Sequence, residues 1–353
     1  MAVRIMIMAG GTGGHVFPAL AVAEYLRDAG HQVSWLGTKK GIESTVVPNA
    51  GFAMDWLSVS GLRGKGLWSL LLAPFMLLKA CVQASTIIRQ RQPDVVLGLG
   101  GFASGPGGLL SWLHSRPLVI HEQNRVPGTT NRLLKRIATR VLEAFPNSFD
   151  KQTNAICTGN PIRKELLDVT EAKGSSGTNV LIVGGSLGAS ILNEVVPAAL
   201  KELQDEFSIN VIHQAGKATI DTAKFAYEEA AVIADVRVFI DDMKVVYQWA
   251  DVVICRAGAM TISELAVMSL PSILVPLPHA IDDHQTKNAA FLSDKGAAVL
   301  MPQSELSAQA LSDTLRELLS NSTKLKEMGV KASLLAKPNA AEHVANICLE
   351  VAL

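Results

Sequence analysis

The sequence predicts an α/β protein of two facing Rossmann-like, doubly wound domains with a cleft between them. Three observations carry that prediction. Short apolar runs of strand length recur along the chain and alternate with helical stretches, the pattern of parallel sheets buried on both faces. Two of these runs, residues 3–9 and 179–183, each open such a series and each lead into a glycine loop. The length, 353 residues, exceeds what one hydrophobic core usually serves.

Composition narrows the class. Hydrophobic residues make up 48% and charged residues 18%, with a mean hydropathy of +0.26, so the chain should fold and contact with a membrane is an expectation. The net charge of zero hides an asymmetry. Through Asn160 there are 16 Lys+Arg against 8 Asp+Glu, and beyond it 16 against 24. The first half should therefore face an anionic partner, either a phosphate-bearing substrate or a lipid surface. Cys81, Cys157, Cys255 and Cys348 lie far apart with no CxxC pair, which argues against a zinc site or a disulfide framework and fits a reducing cytoplasm. No signal-peptide pattern opens the sequence, and export is not expected.

Taken in order, residues 3–9 form the first strand, Gly10-Gly11-Thr12-Gly13-Gly14-His15 the loop, and Pro18 stands near a helix start. A dinucleotide fingerprint is absent. Val16 stands where the third glycine would be, and Thr38-Lys39-Lys40 follows the second strand instead of an acidic residue. His15 falls at the carboxyl edge of the sheet, where it is either a packing and capping residue or a catalytic one. The apolar run at 66–78, with Leu72, Phe75 and Met76, is interrupted by Pro74 and is too short to span a bilayer. Arg63, Lys65, Lys79, Arg89 and Arg91 surround it. It reads as a core helix or as an apolar patch with a basic rim for an anionic membrane surface. Residues 94–99 give a further strand, leading into Gly100-Gly101-Phe102-Ala103-Ser104-Gly105-Pro106-Gly107-Gly108, a second glycine loop before a helix. The strand at 117–120 is followed by His121-Glu122-Gln123-Asn124, a polar row placed as a site would be. A helix over 131–136 and a strand at 140–142 close the first series.

Cys157-Thr158-Gly159-Asn160-Pro161-Ile162-Arg163 reads as the crossing between domains, because turn residues there precede the change of charge sign. The expected division is residues 1–160, joined by the C-terminal helix 339–353, and residues 161–338. The second series starts with the strand at 179–183 and Gly184-Gly185-Ser186-Leu187-Gly188-Ala189. Strands at 211–213, 236–240, 252–254, 272–275 and 298–301 follow. Within it, Asp251-Val252-Val253-Ile254-Cys255-Arg256-Ala257-Gly258-Ala259-Met260-Thr261-Ile262-Ser263-Glu264 reads as strand, tight turn and helix N-terminus. The helix amides and dipole suit a phosphate, and Glu264 can accept from the two hydroxyls of a ribose. In the polar segment after Val275, His279, Asp282, Asp283 and His284 lack metal-ligand spacing, and no metal is expected there.

These motifs taken together resemble the GT-B glycosyltransferases. The ordered set 10–15, 100–106, 121–124, 159–163, 184–189 and 256–264 is similar to the MurG family, the bacterial N-acetylglucosaminyltransferases that convert lipid I into lipid II. The resemblance covers nearly the whole chain. It implies an inverting hexosyltransferase of peptidoglycan synthesis, moving N-acetylglucosamine from UDP-N-acetylglucosamine to the C4 hydroxyl of the muramoyl unit of undecaprenyl-diphospho-muramoyl-pentapeptide. The first domain would then face the acceptor and the membrane, and the second would bind the UDP-sugar. Thr12, Gly13, Gly14 and Asn124 would reach the sugar end, and Arg163 and Ser186 the phosphates. Ile240, Ala259, Met260, Thr261, Ile262, Ser263 and Glu264 would hold uracil, phosphate and ribose, and Gln285 the N-acetylglucosamine.

Such a displacement needs a base for the attacking hydroxyl, for which His15 is the first candidate and Glu122 the second. Without a D-x-D motif, a helix N-terminus with Arg163 and Ser186 would stabilise the leaving group in place of a metal, and no cofactor is implied. The resemblance also implies a peripheral protein at the cytoplasmic face of the inner membrane. Leu72, Phe75, Met76 and Lys79 would meet lipid, other cell-wall synthesis proteins would be further partners, and nucleic acid would not be one. The rivals are a non-hydrolysing epimerase on the same donor, a two-domain sugar-binding protein, and, most weakly, a nicotinamide oxidoreductase.

Overall fold

A computed structural model describes residues 2–58, 67–167, 177–185, 188–278 and 280–353, with the side chains of 67–72 and of Ile281 excepted. It divides into two compact units, Met1–Arg163 with Lys337–Leu353, and Lys164–Ala336.

Unit 1 runs β1 (Arg4–Met8), α1 (Gly13–Asp28), β2 (Gln32–Thr38), α2 (Glu43–Asn49), β3 (Ala53–Leu57), α3 (Leu67–Arg91), β4 (Val95–Gly98), α4 (Ser104–Leu113), β5 (Leu118–Glu122), α5 (Thr129–Leu134), β6 (Arg140–Glu143) and β7 (Ile156–Cys157). Unit 2 runs β8 (Thr178–Val183), α6 (Ser190–Lys201), β9 (Ile209–Gln214), α7 (Ile220–Ala230), β10 (Asp235–Arg237), α8 (Met243–Trp249), β11 (Val252–Cys255), α9 (Ala259–Val267), β12 (Ser272–Leu274), α10 (His284–Ser293), β13 (Ala298–Leu300), α11 (Ala308–Leu319) and α12 (Ser322–Ser333). The last helix, α13 (Ala340–Ala352), belongs to unit 1, where Val344, Ala345 and Cys348 are buried against α1 and β4.

Both sheets are parallel throughout. Their orders are β3-β2-β1-β4-β5-β6-β7 and β10-β9-β8-β11-β12-β13. In each unit the order reverses between the first and fourth strands, the switch point outside whose carboxyl ends doubly wound sheets bind ligands. The strands are apolar because helices cover both faces: Ile5, Ile7 and Trp35 join one core layer, while Met6, Met8 and Leu36 join the other. The two doubly wound α/β units read from the sequence are therefore present.

Three details differ from the sequence reading. His121 and Glu122 lie inside β5, where both are buried, rather than beyond its end. Their side chains are satisfied within the protein, which lets polar residues end a central strand. The strand expected at 236–240 stops at Arg237, so Ile240 lies in the loop before α8. The apolar run around Pro74 belongs to a helix of 25 residues that continues through Arg91.

Candidate active site

In unit 1 the two glycine loops come together because β1 and β4 are neighbours in the sheet. Gly101, at φ +83°, packs so closely on Gly10 that a Cβ would collide with the Gly10 carbonyl. Gly100, at φ +102°, faces the His15 imidazole, and a Cβ there would come within 2.9 Å of Cδ2 and 3.0 Å of Nε2. Only glycine fits both demands. Thr12 caps α1 through its carbonyl, which accepts from the backbone N–H groups of His15 (3.1 Å) and Val16 (3.2 Å). Its hydroxyl lies 3.4 Å from His15 Nδ1. Thr12 and Gly14 are exposed and Gly13 and His15 partly so, which places a titratable ring at the lip of the switch point.

Under the same loop lies a carboxylate that the sequence reading did not single out. Glu43, fully buried, accepts from Gly11 N–H (2.9 Å), Thr38 N–H (3.0 Å) and the Thr38 hydroxyl (2.7 Å). Its sequence signal was faint: a Gly-Ile-Glu triplet just beyond the second strand.

As the last residue of β5, Glu122 accepts four hydrogen bonds. Oε1 takes Asn124 N–H (3.0 Å) and Nδ2 (3.3 Å), and Oε2 takes Gly128 N–H (2.9 Å) and Asn131 Nδ2 (2.9 Å). With 2% of its surface exposed and both oxygens engaged, this carboxylate orders the 123–128 loop and orients Asn124. Beside it, His121 has no exposed surface; its Nε2–H donates to the Gly159 carbonyl (2.9 Å) and Nδ1 accepts from Gln123 Nε2 (3.1 Å). Burial pulls its pKa from 6.5 down to about 4, so the ring is neutral and structural. Arg163, partly exposed, stacks its guanidinium 5.7 Å over the Phe17 ring of α1.

In unit 2 the equivalent switch point lies between β8 and β11. Gly185 and Gly188 of the loop after β8 have φ +85° and +78°. Ser186 and Leu187 lie outside the described residues. Beyond β11, Gly258 caps α9 with φ −64° and ψ 144°, and it has no side chain to occupy the first helix amides. A Cβ at Gly258 would meet only Thr261 Oγ1, at 3.6 Å, so glycine here keeps the outer face of the turn open rather than solving a strained backbone. Glu264, five residues into α9, is partly buried, and the Tyr247 hydroxyl donates to its Oε2 at 3.1 Å. Below it, burial pushes the Cys255 thiol up to about 12, with the Glu264 charge adding to the effect, so this thiol is no nucleophile.

Neighbouring segments are tied to the turn. Arg256 Nη1 donates to the carbonyls of Val275 and Pro276, both at 3.1 Å, and Asn288 Nδ2 donates to Ala257 O at 3.3 Å. Desolvation lowers the Arg256 pKa from its usual value. Gln285 Oε1 accepts from Leu277 N–H (2.9 Å), so its amide is oriented by the loop after β12. Ile240 N–H donates to the buried Gln214 Oε1 at 3.0 Å. Tyr247 and Gln214, both missed in the sequence, act on predicted site residues from other elements. Among the described residues no group of three or more His, Cys, Asp or Glu is arranged to hold a metal ion, and His279 lies outside them.

Both halves match known domain families. Residues 5–143 match the glycosyltransferase family 28 N-terminal domain and residues 179–344 the glycosyltransferase family 28 C-terminal domain. The chain belongs to glycosyltransferase family 28. Among family-28 relatives, a protein of Methylococcus capsulatus is 55% identical over 353 residues, covering 100% of this chain and 99% of that one. One from Ectopseudomonas mendocina is 54% identical, covering 99% and 98%. Both are named UDP-N-acetylglucosamine–N-acetylmuramyl-(pentapeptide) pyrophosphoryl-undecaprenol N-acetylglucosamine transferase. The crystal structure of Acinetobacter baumannii MurG superposes with a TM-score of 0.84 at 41% identity, covering 99% of each chain. A UDP-N-acetylglucosamine 2-epimerase, 13% identical with a TM-score of 0.67 over 98% of this chain and 95% of that one, shares the fold alone. The resemblance drawn from the six ordered motifs thus agrees with these relatives.

Proposed function

We propose that this family-28 chain moves N-acetylglucosamine from UDP-N-acetylglucosamine to the C4 hydroxyl of the muramoyl unit of undecaprenyl-diphospho-muramoyl-pentapeptide, converting lipid I into lipid II. The observation that carries this reading is 55% identity, over the full length of both chains, to a transferase of that name. The residue chemistry supports it.

Unit 2 holds the nucleotide. Glu264, kept in place by Tyr247, accepts from the ribose hydroxyls, the N-terminal amides of α9 with Ser186 take the diphosphate, and Ile240 reads uracil. Gln285 addresses the N-acetylglucosamine. Unit 1 supplies Thr12, Gly13, Gly14 and Asn124 for the sugar end and Arg163 for the leaving phosphates. His15 takes the proton from the attacking hydroxyl as the glycosidic bond to UDP breaks in one in-line, inverting step. Glu122, with both oxygens already accepting, serves by positioning Asn124, and His15 carries the base proposal.

The acceptor is a lipid, and a surface for it is at hand. No helix among the described residues is long and apolar enough to cross a membrane. Phe75, Leu77 and Leu78 of α3 are exposed beside the exposed Lys79, and Trp112 and Leu113 are exposed on the neighbouring α4. Met76 is partly buried, and the Leu72 side chain lies outside the described residues. This patch binds the anionic cytoplasmic face of the inner membrane, where other cell-wall synthesis proteins also work. Phe75→Ser with Trp112→Ser should lower binding to anionic vesicles while transfer to a water-soluble acceptor persists; vesicle binding equal to the parent's contradicts the assignment.

The test of the activity is transfer of labelled N-acetylglucosamine from its UDP form to a short-chain lipid I analogue, with and without EDTA. Transfer in both conditions supports the reaction and its metal-free mechanism. Loss of transfer in EDTA overturns the metal-free mechanism, and its absence in both overturns the acceptor.

A further inference from the structure

The reaction as proposed leaves the buried carboxylate of Glu43 without a task. Glu43 has no exposed surface, and its hydrogen-bond partners are uncharged: the Gly11 N–H, the Thr38 N–H and the Thr38 hydroxyl. A carboxylate taken out of water is costly unless its lone pairs are filled, so keeping one here is a strong structural choice. The surroundings are shaped to it. A Cβ at Gly10 would lie 2.5 Å from Oε1, one at Gly41 would collide with Oε2, and one at Gly37 would lie 3.0 Å from Cγ. Three glycines from three segments thus leave room for one acidic side chain.

We propose that Glu43 is a positioning residue for transfer: its carboxylate clasps the β1–α1 glycine loop to the end of β2 and so presents Thr12, Gly13, Gly14 and His15. This rests on the reading of those residues as the sugar contacts and the base. The clasp acts at Gly11, which has φ +92° and immediately precedes the Thr12 cap of α1. Fixing the Gly11 amide fixes where α1 begins, and His15 sits in its first turn. An acceptor-only carboxylate suits this position because it meets donors from both strand ends at once. Glutamine keeps the shape but turns an NH2 group toward one of the backbone N–H groups.

The experiment is Glu43→Gln in the full chain, alone and in a His15→Ala background. Turnover, UDP dissociation constant and amide exchange of the 10–14 loop are read together. In the parent background kcat should fall about 10- to 100-fold, the cost of a misplaced catalytic group. UDP affinity should stay within about twofold and loop exchange should quicken, while the strand amides remain protected. In the His15→Ala background the same change should cost less, only the share carried by Thr12, Gly13 and Gly14 remaining.

Parent-like kcat, an equal loss in both backgrounds, or unchanged loop exchange would each overturn the proposal. If His15→Ala alone keeps parent turnover, the base assignment fails. The clasp is then judged on the Glu43→Gln turnover and loop exchange, which must still move together. Should Glu43→Gln not fold, Thr38→Val removes one of the three donors and keeps the carboxylate. It should give the same signature at a smaller size, and parent-like turnover in it would overturn the proposal.

Discussion

The two switch points share a topology and solve different problems. In unit 1 the loop after β1 is held by backbone against backbone, Gly101 on Gly10, and by a carboxylate beneath it, so its shape depends on residues 32 and 91 positions away. In unit 2 the turn after β11 is an ordinary helix start. Gly258 has an unstrained φ, and the groups proposed to act are the first amides of α9 and a Glu within the same helix. The comparison teaches that strand order fixes where a ligand can bind, while local chemistry fixes what binds. One end presents a titratable ring at the lip of a tightly packed glycine loop. The other presents helix amides and a carboxylate, proposed for an anion and a diol.

That contrast can be broken by mutation. The largest effect is expected at His15, where replacement by Ala should lower kcat by about 10²- to 10⁴-fold while the UDP dissociation constant stays near the parent value. A variant with parent turnover would end its role as base. Glu264→Ala should weaken UDP-N-acetylglucosamine binding about 10- to 100-fold, the size of lost hydrogen bonds to a charged group. Unchanged affinity, read by calorimetry, would remove the ribose assignment. If both variants changed the same kinetic constant, the division of labour between the units would be wrong.

The glycines sharpen it further. Gly101→Ala places a Cβ on the Gly10 carbonyl at positive φ, and should cost about 2 kcal/mol in urea unfolding. Gly258→Ala should stay within about 0.5 kcal/mol of the parent while weakening UDP binding. Equal stabilities would mean that the two loops are not built differently.

How much of this was legible in the sequence follows the same line. The α9 turn was readable because strand, glycine, helix start and Glu264 lie within one short window. The unit 1 loop was readable as glycine-rich, but the supports that shape it were not: Glu43 and Gly100 reach it through the sheet order. The same holds for Tyr247 and Gln214, which act on Glu264 and Ile240 across elements. His121 and Glu122 looked like a site row because polar residues at a strand end usually face a ligand. Burial and a full set of partners gave them a structural task instead.

A further expected effect is on acid stability, and each unit carries one cause. Burial lowers His121 in unit 1 to about 4 and His213 in unit 2 to about 3, from 6.5. Well above pH 6.5 both are neutral whether folded or unfolded. As pH falls below that value the unfolded chain binds protons that the folded chain does not. Stability is therefore lost with falling pH, by about 1 kcal/mol per histidine between pH 7 and 5.5. Urea midpoints across this range should show the slope, and it should be shallower in His213→Phe; an identical slope would remove that histidine as a cause.

The most direct test is an NMR spectrum of the product formed from UDP-N-acetylglucosamine and a short-chain lipid I analogue. A disaccharide whose new N-acetylglucosamine is β-linked to the C4 oxygen of the muramoyl unit is the predicted result, since one in-line displacement inverts the α-linked donor. An α-linked product, or linkage to another hydroxyl, would contradict the account.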